Sequence, residues 1–576
     1  MHSTHVLGEA PLVHHRRMQW REAGRDGLIV ALCIGTVDFV DVFGGAKIFW
    51  SEGGWIALWA SIIGLNLIGI GIGLVLLRPL ISASAGLWAA WFVVIGAYGA
   101  EWVLRDAAPF TDNPLVEQQP NVDPVAAPID PEMPNVLLIS VDTLRSDYVG
   151  AWGNRQVKTP QIDALAQSGV RFTSAFAPIA VTGPSHAAML TGAGPWTSGM
   201  LLNGVTVPPT LRSLAPSLRA AGYRTGAFVS AVVLDGSLGF DRGFEVYDYA
   251  TGEIPGLELS RPGRVLSMIR RFFQPHAVLE RRGDATTNQA LRWISGVKSE
   301  PFFAWVHLFD PHGPYTPPSP WSEAYYEGDP RDLAHTSMDD VSGVADYLKE
   351  SLVGIQDVEW VMAQYAGEVS FVDAQIGRLM AALEAGGLGD NTLVVMVGDH
   401  GESFGEGGVW FNHGGDLDES AIRVPMIIRW PKRLAGGVEV TDPVGVVDVA
   451  PTIWGLLGLP SDAPDGFDLL GAAQGEVKDR PGVMSLCYDR TVNQQERVAG
   501  RIQSPTYVLA RMWSASGWFQ IGSHISRGAI VHGEVEGPAM ERVAVVVKSI
   551  GDQVHRRSEE RGEATLEQLK ALGYVE

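Results

Sequence analysis

The stretch TLVVMVGDHGESFGEGG runs from Thr392 to Gly408. Its β-branched and apolar start ends in an acid and a histidine, which is typical of a buried strand followed by a polar turn. NVLLISV, from Asn135 to Val141, ends in the same way at Asp142. Ligands gather at the carboxyl ends of strands in open α/β sheets, so we expect Asp142, Asp399 and His400 to converge.

From Pro134 onward, strand-like apolar runs alternate with amphipathic helical patterns. Further strands are predicted at 169–176, 223–230, 302–309 and 424–430, and helical periods at 213–221, 289–293 and 359–383. The alternation predicts an α/β fold, with a mostly parallel sheet between helices. From about residue 479 the pattern changes to short strand-like pieces with a closing helical pattern at 564–572, which predicts a small C-terminal subdomain.

Three apolar stretches, 27–43, 55–77 and 86–104, occupy the first hundred residues. A membrane helix needs roughly 20 apolar residues. The second and third stretches meet this requirement. Asp38 and Asp41 interrupt the first, so the sequence does not decide whether it spans the membrane. The chain is therefore predicted to contain, in order, a cytoplasmic tail (1–25), a transmembrane region of about three helices (26–104), a proline-rich linker (105–133), a main domain (134–478) and the C-terminal subdomain (479–576).

Charge limits the location and the partners of the chain. Arginines precede the first apolar stretch, so the positive-inside rule places the amino terminus in the cytoplasm. The main domain would then lie outside it, in the periplasm or at the cell surface. A formal net charge of −22 argues against nucleic acid as a partner. Two cysteines, Cys33 and Cys487, provide no disulfide framework. No pattern indicates an oligomeric state.

The segment VTGPSHAAMLTG, from Val181 to Gly192, supplies a hydroxyl at the start of a predicted helix. Proline is tolerated in a first helical turn, and the positive end of a helix favours an anion. Thr182 is a weak nucleophile unless a divalent metal lowers the pKa of its hydroxyl. Asp142, Asp399 and His400 would be the other metal ligands. Their mixed oxygen and nitrogen set favours Zn²⁺ or Mn²⁺, with Ca²⁺ as the alternative. The pattern predicts metal-assisted attack by Thr182 on a sulfate or phosphate ester.

These stretches resemble the sulfatase family of the alkaline phosphatase superfamily, over residues 134–470. The motifs that carry the resemblance are SVDTLRSD (140–147), TGPSHAAMLTG (182–192), GEVSFVDAQIGRL (367–379), VGDHGESFGEGG (397–408), HGGDLDESAIRVPMIIRWP (413–431), VDVAPTIWGLLGLP (447–460) and LKALGY (569–574). The resemblance implies the family's fold and a sulfuric ester hydrolase.

The chain departs from that family at the chemically important positions. Typical sulfatases carry Cys-x-Pro-Ser-Arg at the helix start, with the cysteine oxidised to formylglycine. Thr182 and His186 take the cysteine and arginine places here, so no formylglycine forms. Thr143 stands where many sulfatases have a second aspartate, and His400 where many have asparagine. A threonine ester must be opened by water, which favours phosphoryl chemistry on mechanism. Members of the superfamily that keep threonine resemble phosphodiesterases and phosphoryl transferases.

Further candidates surround the nucleophile. We expect His186 to be catalytic and Arg145 to orient the nucleophile or the anion. HLFDPHGPYTPP, from residue 307 to 318, resembles the family's substrate-side histidine segment, and His312 is the preferred general acid or anion donor, ahead of His307. His413 would protonate the leaving group or join a second metal, for which Asp310, His312 and His413 are the available ligands.

The leading hypothesis is therefore a membrane-anchored, metal-dependent hydrolase of sulfate or phosphate esters on a glycan or a lipid headgroup. Two alternatives remain: a lipid-headgroup phosphotransferase, and a non-catalytic domain that binds a glycan or another partner. The residues leave the substrate, the choice between sulfate and phosphate, and the number of metals open.

Overall fold

The computed structural model describes residues 133–249, 280–414, 417–473, 483–489, 507–514, 517–524 and 528–532. The three predicted membrane spans and all but the last residue of the predicted linker lie outside these ranges. Among the helices that the structure does describe, none combines the length and the apolar character needed to cross a bilayer. The membrane region therefore stays a prediction from sequence.

Fifteen strands are present in the described residues. They are β1 Asn135–Val141, β2 Val170–Phe176, β3 Arg224–Phe228, β4 Val246–Asp248, β5 Phe302–Leu308, β6 Thr392–Gly398, β7 Ser403–Phe404, β8 Trp410–Asn412, β9 Arg423–Arg429, β10 Val438–Val440, β11 Val444–Gly445, β12 Val483–Asp489, β13 Tyr507–Ser514, β14 Gly517–His524 and β15 Gly528–His532. The strands predicted from sequence coincide with β1, β2, β3, β5, β6 and β9.

The main sheet has nine strands in the order β10–β2–β9–β6–β1–β5–β3–β4, with β11 also beside β2. β9 runs antiparallel to β6 and β2, and every other pairing is parallel. Strand β1 lies between β5 and β6, so that Val141 is in register with Leu308 and with Gly398. The chain therefore leaves β1, β5 and β6 at the same edge of the sheet, side by side. The predicted mostly parallel α/β fold is confirmed.

Nine α-helices accompany the strands in the described residues. They are α1 Pro160–Ser168, α2 Thr182–Thr191, α3 Pro195–Ser198, α4 Leu214–Ala220, α5 Gly283–Val297, α6 Val358–Ala385, α7 Glu419–Ile422, α8 Val449–Leu456 and α9 Leu470–Ala473. The three helical patterns predicted from sequence fall within or overlap α4, α5 and α6.

Two apolar cores flank the main sheet. Successive side chains of a strand point to opposite faces, and β1 follows this rule: Val136 and Leu138 belong to one core, Leu137 and Ile139 to the other. Helices α2, α4 and α8 pack in the first core, and α1, α5 and α6 in the second. Because both faces are covered, all seven residues of β1 are buried, which explains its continuous apolar run.

Helix α2 lies inside the protein, since all ten of its residues are buried. Pro184 falls in its first turn, where a missing backbone N–H breaks no helical hydrogen bond. The helix ends at Gly192, whose φ of 69° lies in the left-handed region that glycine adopts without strain. Thr182 is consequently fixed at the first position of a rigid, buried element.

Strands β12 to β15 form a separate antiparallel sheet within the predicted C-terminal subdomain. Strand β12 also touches the chain that leads into α2. Leu486 forms a parallel bridge with Ile179, and the Ser485 hydroxyl donates to the Ala177 carbonyl at 2.7 Å. The last sheet thus braces the segment just before Thr182.

Candidate active site

Asp142 and Asp399 stand at the ends of neighbouring strands. The Asp142 amide donates to the Leu308 carbonyl at 3.0 Å, and the Asp399 amide donates to the Val141 carbonyl at 3.1 Å. These bonds extend the ladders of β1 with β5 and of β6 with β1 by one residue. Both carboxylates are therefore placed by the sheet itself, at the edge where ligands gather in α/β folds.

Asp142, Asp399 and His400 form a buried cluster, and one potential ligand atom from each lies within 4.8 Å of the others. The Nδ1 atom of His400 is 2.9 Å from the Gly401 carbonyl, so Nδ1 carries the hydrogen. Its Nε2 lone pair then faces Asp142 Oδ1 at 3.6 Å and Asp399 Oδ2 at 3.5 Å. A carbonyl behind the ring is the usual arrangement of metal-ligating histidines. We call these three residues the cation side.

Two oxygen atoms of the cation side, Asp142 Oδ2 and Asp399 Oδ2, are buried without a hydrogen-bond partner. Burial, followed by the nearby Asp142 charge, raises the pKa of Asp399 well above its usual range. Burial would also raise the pKa of Asp142, but interactions with His307, His312 and His400 outweigh it and hold that pKa below its usual range. A divalent cation would satisfy both orphan oxygens and both charges, so the residues fit a metal.

The Thr182 hydroxyl lies at this cluster. Its Oγ1 is 3.4 Å from Asp142 Oδ1 and 3.3 Å from His400 Nε2. The Ser185 hydroxyl donates to the Asp399 carbonyl at 2.7 Å, and the Gly183 amide donates to Asn203 Oδ1 at 2.8 Å. The first bond joins the first turn of α2 to Asp399 of the cation side, and the second joins it to the segment that follows α3. The structure therefore brings together all four of the residues predicted for the metal.

His186 lies one turn further along α2 and uses both ring nitrogens inside the protein. Nδ1 is 2.8 Å from the Thr182 carbonyl, and Nε2 is 2.9 Å from Ser140 Oγ, which also accepts from Trp305 Nε1. Burial, and then the nearby His307, lower the pKa of His186 to about 3. A neutral ring held on both sides positions the backbone of Thr182, while its predicted catalytic role stays a prediction.

Arg145 is buried among partners of its own. It forms a two-point ion pair with Asp147, at 2.9 and 2.7 Å, and a second ion pair with Glu406 at 2.9 Å. Nη1 donates to the Glu402 carbonyl at 3.0 Å. The guanidinium therefore joins the loop after β1 to the loop after β6, which is a structural role.

His312 and His413 lie on the other side of the site, which we call the imidazole side. Their ring centroids are 5.1 Å apart, and the His413 ring is 4.5 Å from that of His400. Nδ1 of His312 is 2.7 Å from the Gly313 carbonyl, so its Nε2 carries the lone pair. Burial lowers the pKa of His312.

His307 and Asp310, also predicted from the HLFDPHGP segment, have other neighbours. The Ser230 amide donates to His307 Nδ1 at 3.3 Å, which leaves the ring hydrogen on Nε2, 3.5 Å from Asp142 Oδ2. Asp310 accepts from the Gly283 amide at 2.7 Å, at the start of α5, and burial raises its pKa to about 6. Within the described ranges the sole cluster with metal-ligand spacing is the cation side, so Asp310, His312 and His413 are not gathered as a second one.

Sequence reasoning missed Glu402, a fully buried acid two residues after His400. Its Oε1 is 3.2 Å from His413 Nδ1, and its Oε2 accepts from the Tyr315 hydroxyl at 3.0 Å. Gly401 separates it from His400, and a Cβ there would overlap the Ser420 carbonyl. The available signal was the unexplained acid within the DHGE sequence, next to two predicted ligands.

The fold and the profile of the chain place it in one family. The profile of the sulfatase family, described as "Sulfatase", matches residues 134–459, more than half of the chain, and the chain belongs to that family. This confirms the resemblance drawn from the motifs.

Relatives with this likeness include sulfatases from distant organisms. The chain is 30% identical to the ulvan-active sulfatase of Formosa agariphila over 358 residues, which cover 59% of this chain and 64% of that protein. It is 28% identical to the steryl-sulfatase of Rattus norvegicus over 424 residues, covering 60% and 71%. The chain thus spans less than two thirds of the first of these relatives.

Among solved structures, the fold is similar to that of the phosphonate monoester hydrolase of Agrobacterium radiobacter. The TM-score is 0.54 at 23% identity, covering 76% of this chain and 95% of the other. At this identity the likeness concerns the fold alone.

Proposed function

We propose that this protein hydrolyses a sulfate or phosphate ester through a covalent intermediate on Thr182. The observation that carries the proposal is the Thr182 hydroxyl, which begins a buried helix and lies 3.3 to 3.4 Å from two of the three cation-side residues. Asp142, Asp399 and His400 would hold a divalent metal, Zn²⁺ or Mn²⁺ rather than Ca²⁺ because one ligand is an imidazole nitrogen. A bound metal would lower the pKa of the hydroxyl and offset charge on the ester.

The protein's own residues account for the remaining steps. Thr182 Oγ1 gives its proton to the Nε2 lone pair of an imidazole-side histidine and forms a bond to phosphorus or sulfur, while the bond from that atom to the leaving oxygen breaks. The same imidazole passes this proton on to the leaving oxygen. Water then attacks phosphorus or sulfur, the bond to Oγ1 breaks, and a proton of that water returns to Thr182. Helix α2 holds the hydroxyl in line throughout, which supplies much of the rate through orientation.

Phosphoryl transfer is the preferred version because threonine lacks the hydrated aldehyde with which formylglycine releases sulfate. Sulfate ester hydrolysis is the second candidate, supported by the named activities of the relatives, an ulvan-active sulfatase and a steryl-sulfatase. Those names support an ester on a glycan or another large alcohol. The chemical class of substrate common to both versions is a tetrahedral oxyanion ester.

The test is turnover by the full chain on matched aryl sulfate, phosphate monoester and phosphodiester, each with Zn²⁺, Mn²⁺ or Ca²⁺. Thr182→Ala should lower kcat/KM by roughly 10⁴-fold or more, the scale seen when a nucleophile is removed. Thr191→Ala is the matched control, since that threonine is equally buried at the other end of α2 and bonds only to backbone groups in the described contacts. A phosphoryl or sulfuryl adduct on the Thr182 peptide, seen by mass spectrometry, would separate the two chemistries. Full activity in Thr182→Ala would refute the proposal.

We also propose that the domain acts outside the cytoplasm, anchored by the apolar stretches before residue 105. The support is the length of those stretches and the arginines ahead of them. Protease added to intact cells or spheroplasts should digest the domain while a cytoplasmic marker survives. Protection of both would contradict this location.

A further inference from the structure

A hairpin joins the two sides of the site. Strands β7 and β8 pair so that Ser403 is opposite Asn412. Glu402 immediately precedes β7 and His413 immediately follows β8, which places them across from each other at the open end. The 3.2 Å contact between Glu402 Oε1 and His413 Nδ1 closes that end.

Glu402 is held at three atoms. Oε1 contacts His413, Oε2 accepts from the Tyr315 hydroxyl, and its backbone carbonyl accepts from Arg145. Its side chain has no exposed surface. Burying a carboxylate is costly unless its oxygens are bonded, and both oxygens of Glu402 are. The Glu402 carboxylate is therefore fixed in position by several contacts. It in turn fixes the position of the His413 imidazole.

The bond also assigns the hydrogens of His413. A carboxylate oxygen only accepts, so Nδ1 of His413 carries a hydrogen. The ring is centred 4.5 Å from His400 and 5.1 Å from His312, and its side chain is 10% exposed. It is thus more exposed than the rings of His400 and His312, which are buried.

Backbone strain marks the same hairpin. Phe411, two residues before His413, has a φ of 47°, in the left-handed region that a bulky residue rarely adopts. Such a conformation persists only where the surrounding packing enforces it. The Phe411 ring is fully buried against Phe404 and Tyr315, with centroids 5.8 and 6.4 Å away. Tyr315 therefore supports the hairpin twice, through Phe411 and through Glu402.

We infer that Glu402 is a positioning residue of the proposed reaction: by accepting the Nδ1 hydrogen it orients His413 so that Nε2 faces the bound ester. Tyr315 and the strained turn at Phe411 keep the carboxylate and the imidazole in register. One part of this inference rests on the proposed function, namely that the group facing His413 is a bound ester. The hydrogen bond and the ring orientation are independent of it.

The activity test uses four full-chain variants: Glu402→Ala, Glu402→Gln, His413→Ala and the double variant Glu402→Ala/His413→Ala. Removing the partner that orients a histidine lowers activity by roughly 10- to 100-fold. Glu402→Ala should fall by that factor, and the double variant should be no slower than His413→Ala, because both changes remove one unit. Glu402→Gln keeps an oxygen at the same place and should recover most of the rate. The inference would be overturned if the activity loss of the double variant equalled the product of the two single losses. It would also be overturned if Glu402→Gln were as slow as Glu402→Ala.

Asp373→Ala is the matched control. It removes a buried carboxylate that accepts from the Gln161 and Ile162 amides at the start of α1. Neither of these hydrogen bonds involves His413 or Glu402. It tests whether loss of any buried acid lowers turnover through instability, and thermal unfolding of each variant completes that comparison. A rate loss in Asp373→Ala equal to that in Glu402→Ala would count against a specific role.

The nitrogen resonances of histidine-labelled protein give a readout that needs no turnover. Wild type should show the His413 hydrogen on Nδ1, and Glu402→Ala should shift it toward Nε2. If no ester is turned over, the proposed function fails while this measurement still decides the hydrogen bond. A His413 tautomer that is unchanged in Glu402→Ala would overturn the inference even in an active enzyme.

Discussion

The cation side and the imidazole side of the site are built by different means. Asp142 and Asp399 extend the ladders of β1 and β6, and His400 follows at once, so regular structure places all three. His312 and His413 belong instead to connections, and contacts such as Glu402 with His413 orient them. The proposed metal ligands therefore depend on sheet register, whereas the proposed proton-transfer groups depend on a few side-chain hydrogen bonds. Substitutions on the two sides should therefore fail differently.

The largest effect should come from breaking the cation side. Asp399→Asn should lose stoichiometric metal, measured by elemental analysis, and about 10³-fold or more in kcat/KM, since a metal contributes several kcal/mol to the transition state. Without metal, however, the variant should unfold at a higher temperature than wild type. Burial, and then the Asp142 charge, raise the pKa of Asp399, so an ionised carboxylate is costly there without a metal and the neutral amide removes that cost. Asp373→Asn serves as control, and metal retention in Asp399→Asn would contradict the assignment.

His312→Asn should break the imidazole side alone. We expect roughly a 10²-fold loss in turnover, the usual scale for a general acid or base, with metal content unchanged. Steady-state kinetics and elemental analysis on one preparation check both parts. Loss of metal together with turnover would instead place His312 among metal ligands and erase the distinction between the sides.

A third prediction concerns His186, which supports the cation side from within the core. Its pKa of about 3 lies below the ordinary 6.5, so below pH 6.5 the unfolded chain binds a proton that the folded protein does not. As the pH is lowered from about 6.5 to about 3, the free energy of unfolding should therefore decrease. His186 should contribute up to about 1.4 kcal/mol of this decrease per pH unit. Denaturant unfolding of wild type and His186→Gln measures the difference, and equal pH slopes would rule out a buried neutral His186.

The smallest effect should come from Ser485, which braces the segment before Thr182. Ser485→Ala leaves the buried Ala177 carbonyl without this donor and should cost about 1 kcal/mol of stability, with turnover within about twofold of wild type. Ser168→Ala removes an exposed hydroxyl that also bonds a carbonyl and should change stability by less than about 0.5 kcal/mol. A large loss of turnover in Ser485→Ala would show that the last sheet controls the nucleophile.

The cation side could be predicted because its residues follow from local pattern. Continuous apolar runs indicate buried parallel strands, and parallel strands bring the residues that follow them to one edge. Thr182 was predictable for a similar reason, as the residue at a helix start. None of these inferences needs knowledge of which distant side chains meet.

The other contacts could not be predicted, because they join residues far apart in the chain. Glu402 meets Tyr315 across 87 positions, and Arg145 meets the Glu402 carbonyl across 257. Nothing in a single sequence indicates that Arg145 forms ion pairs with nearby acids, or that Asp310 accepts a hydrogen bond at the start of α5. Side chains on loops choose among several polar partners, and only the tertiary structure shows which one is within reach.

Gly401 makes the two sides inseparable in one respect. It has no room for a side chain against the Ser420 carbonyl, and it lies between His400 and Glu402. Any larger residue would push the loop outward and carry the metal ligand and the acid that orients His413 with it. If the proposed activity holds, mutational paths toward a new ester therefore cannot begin at that turn, and they are confined to the segments that face it.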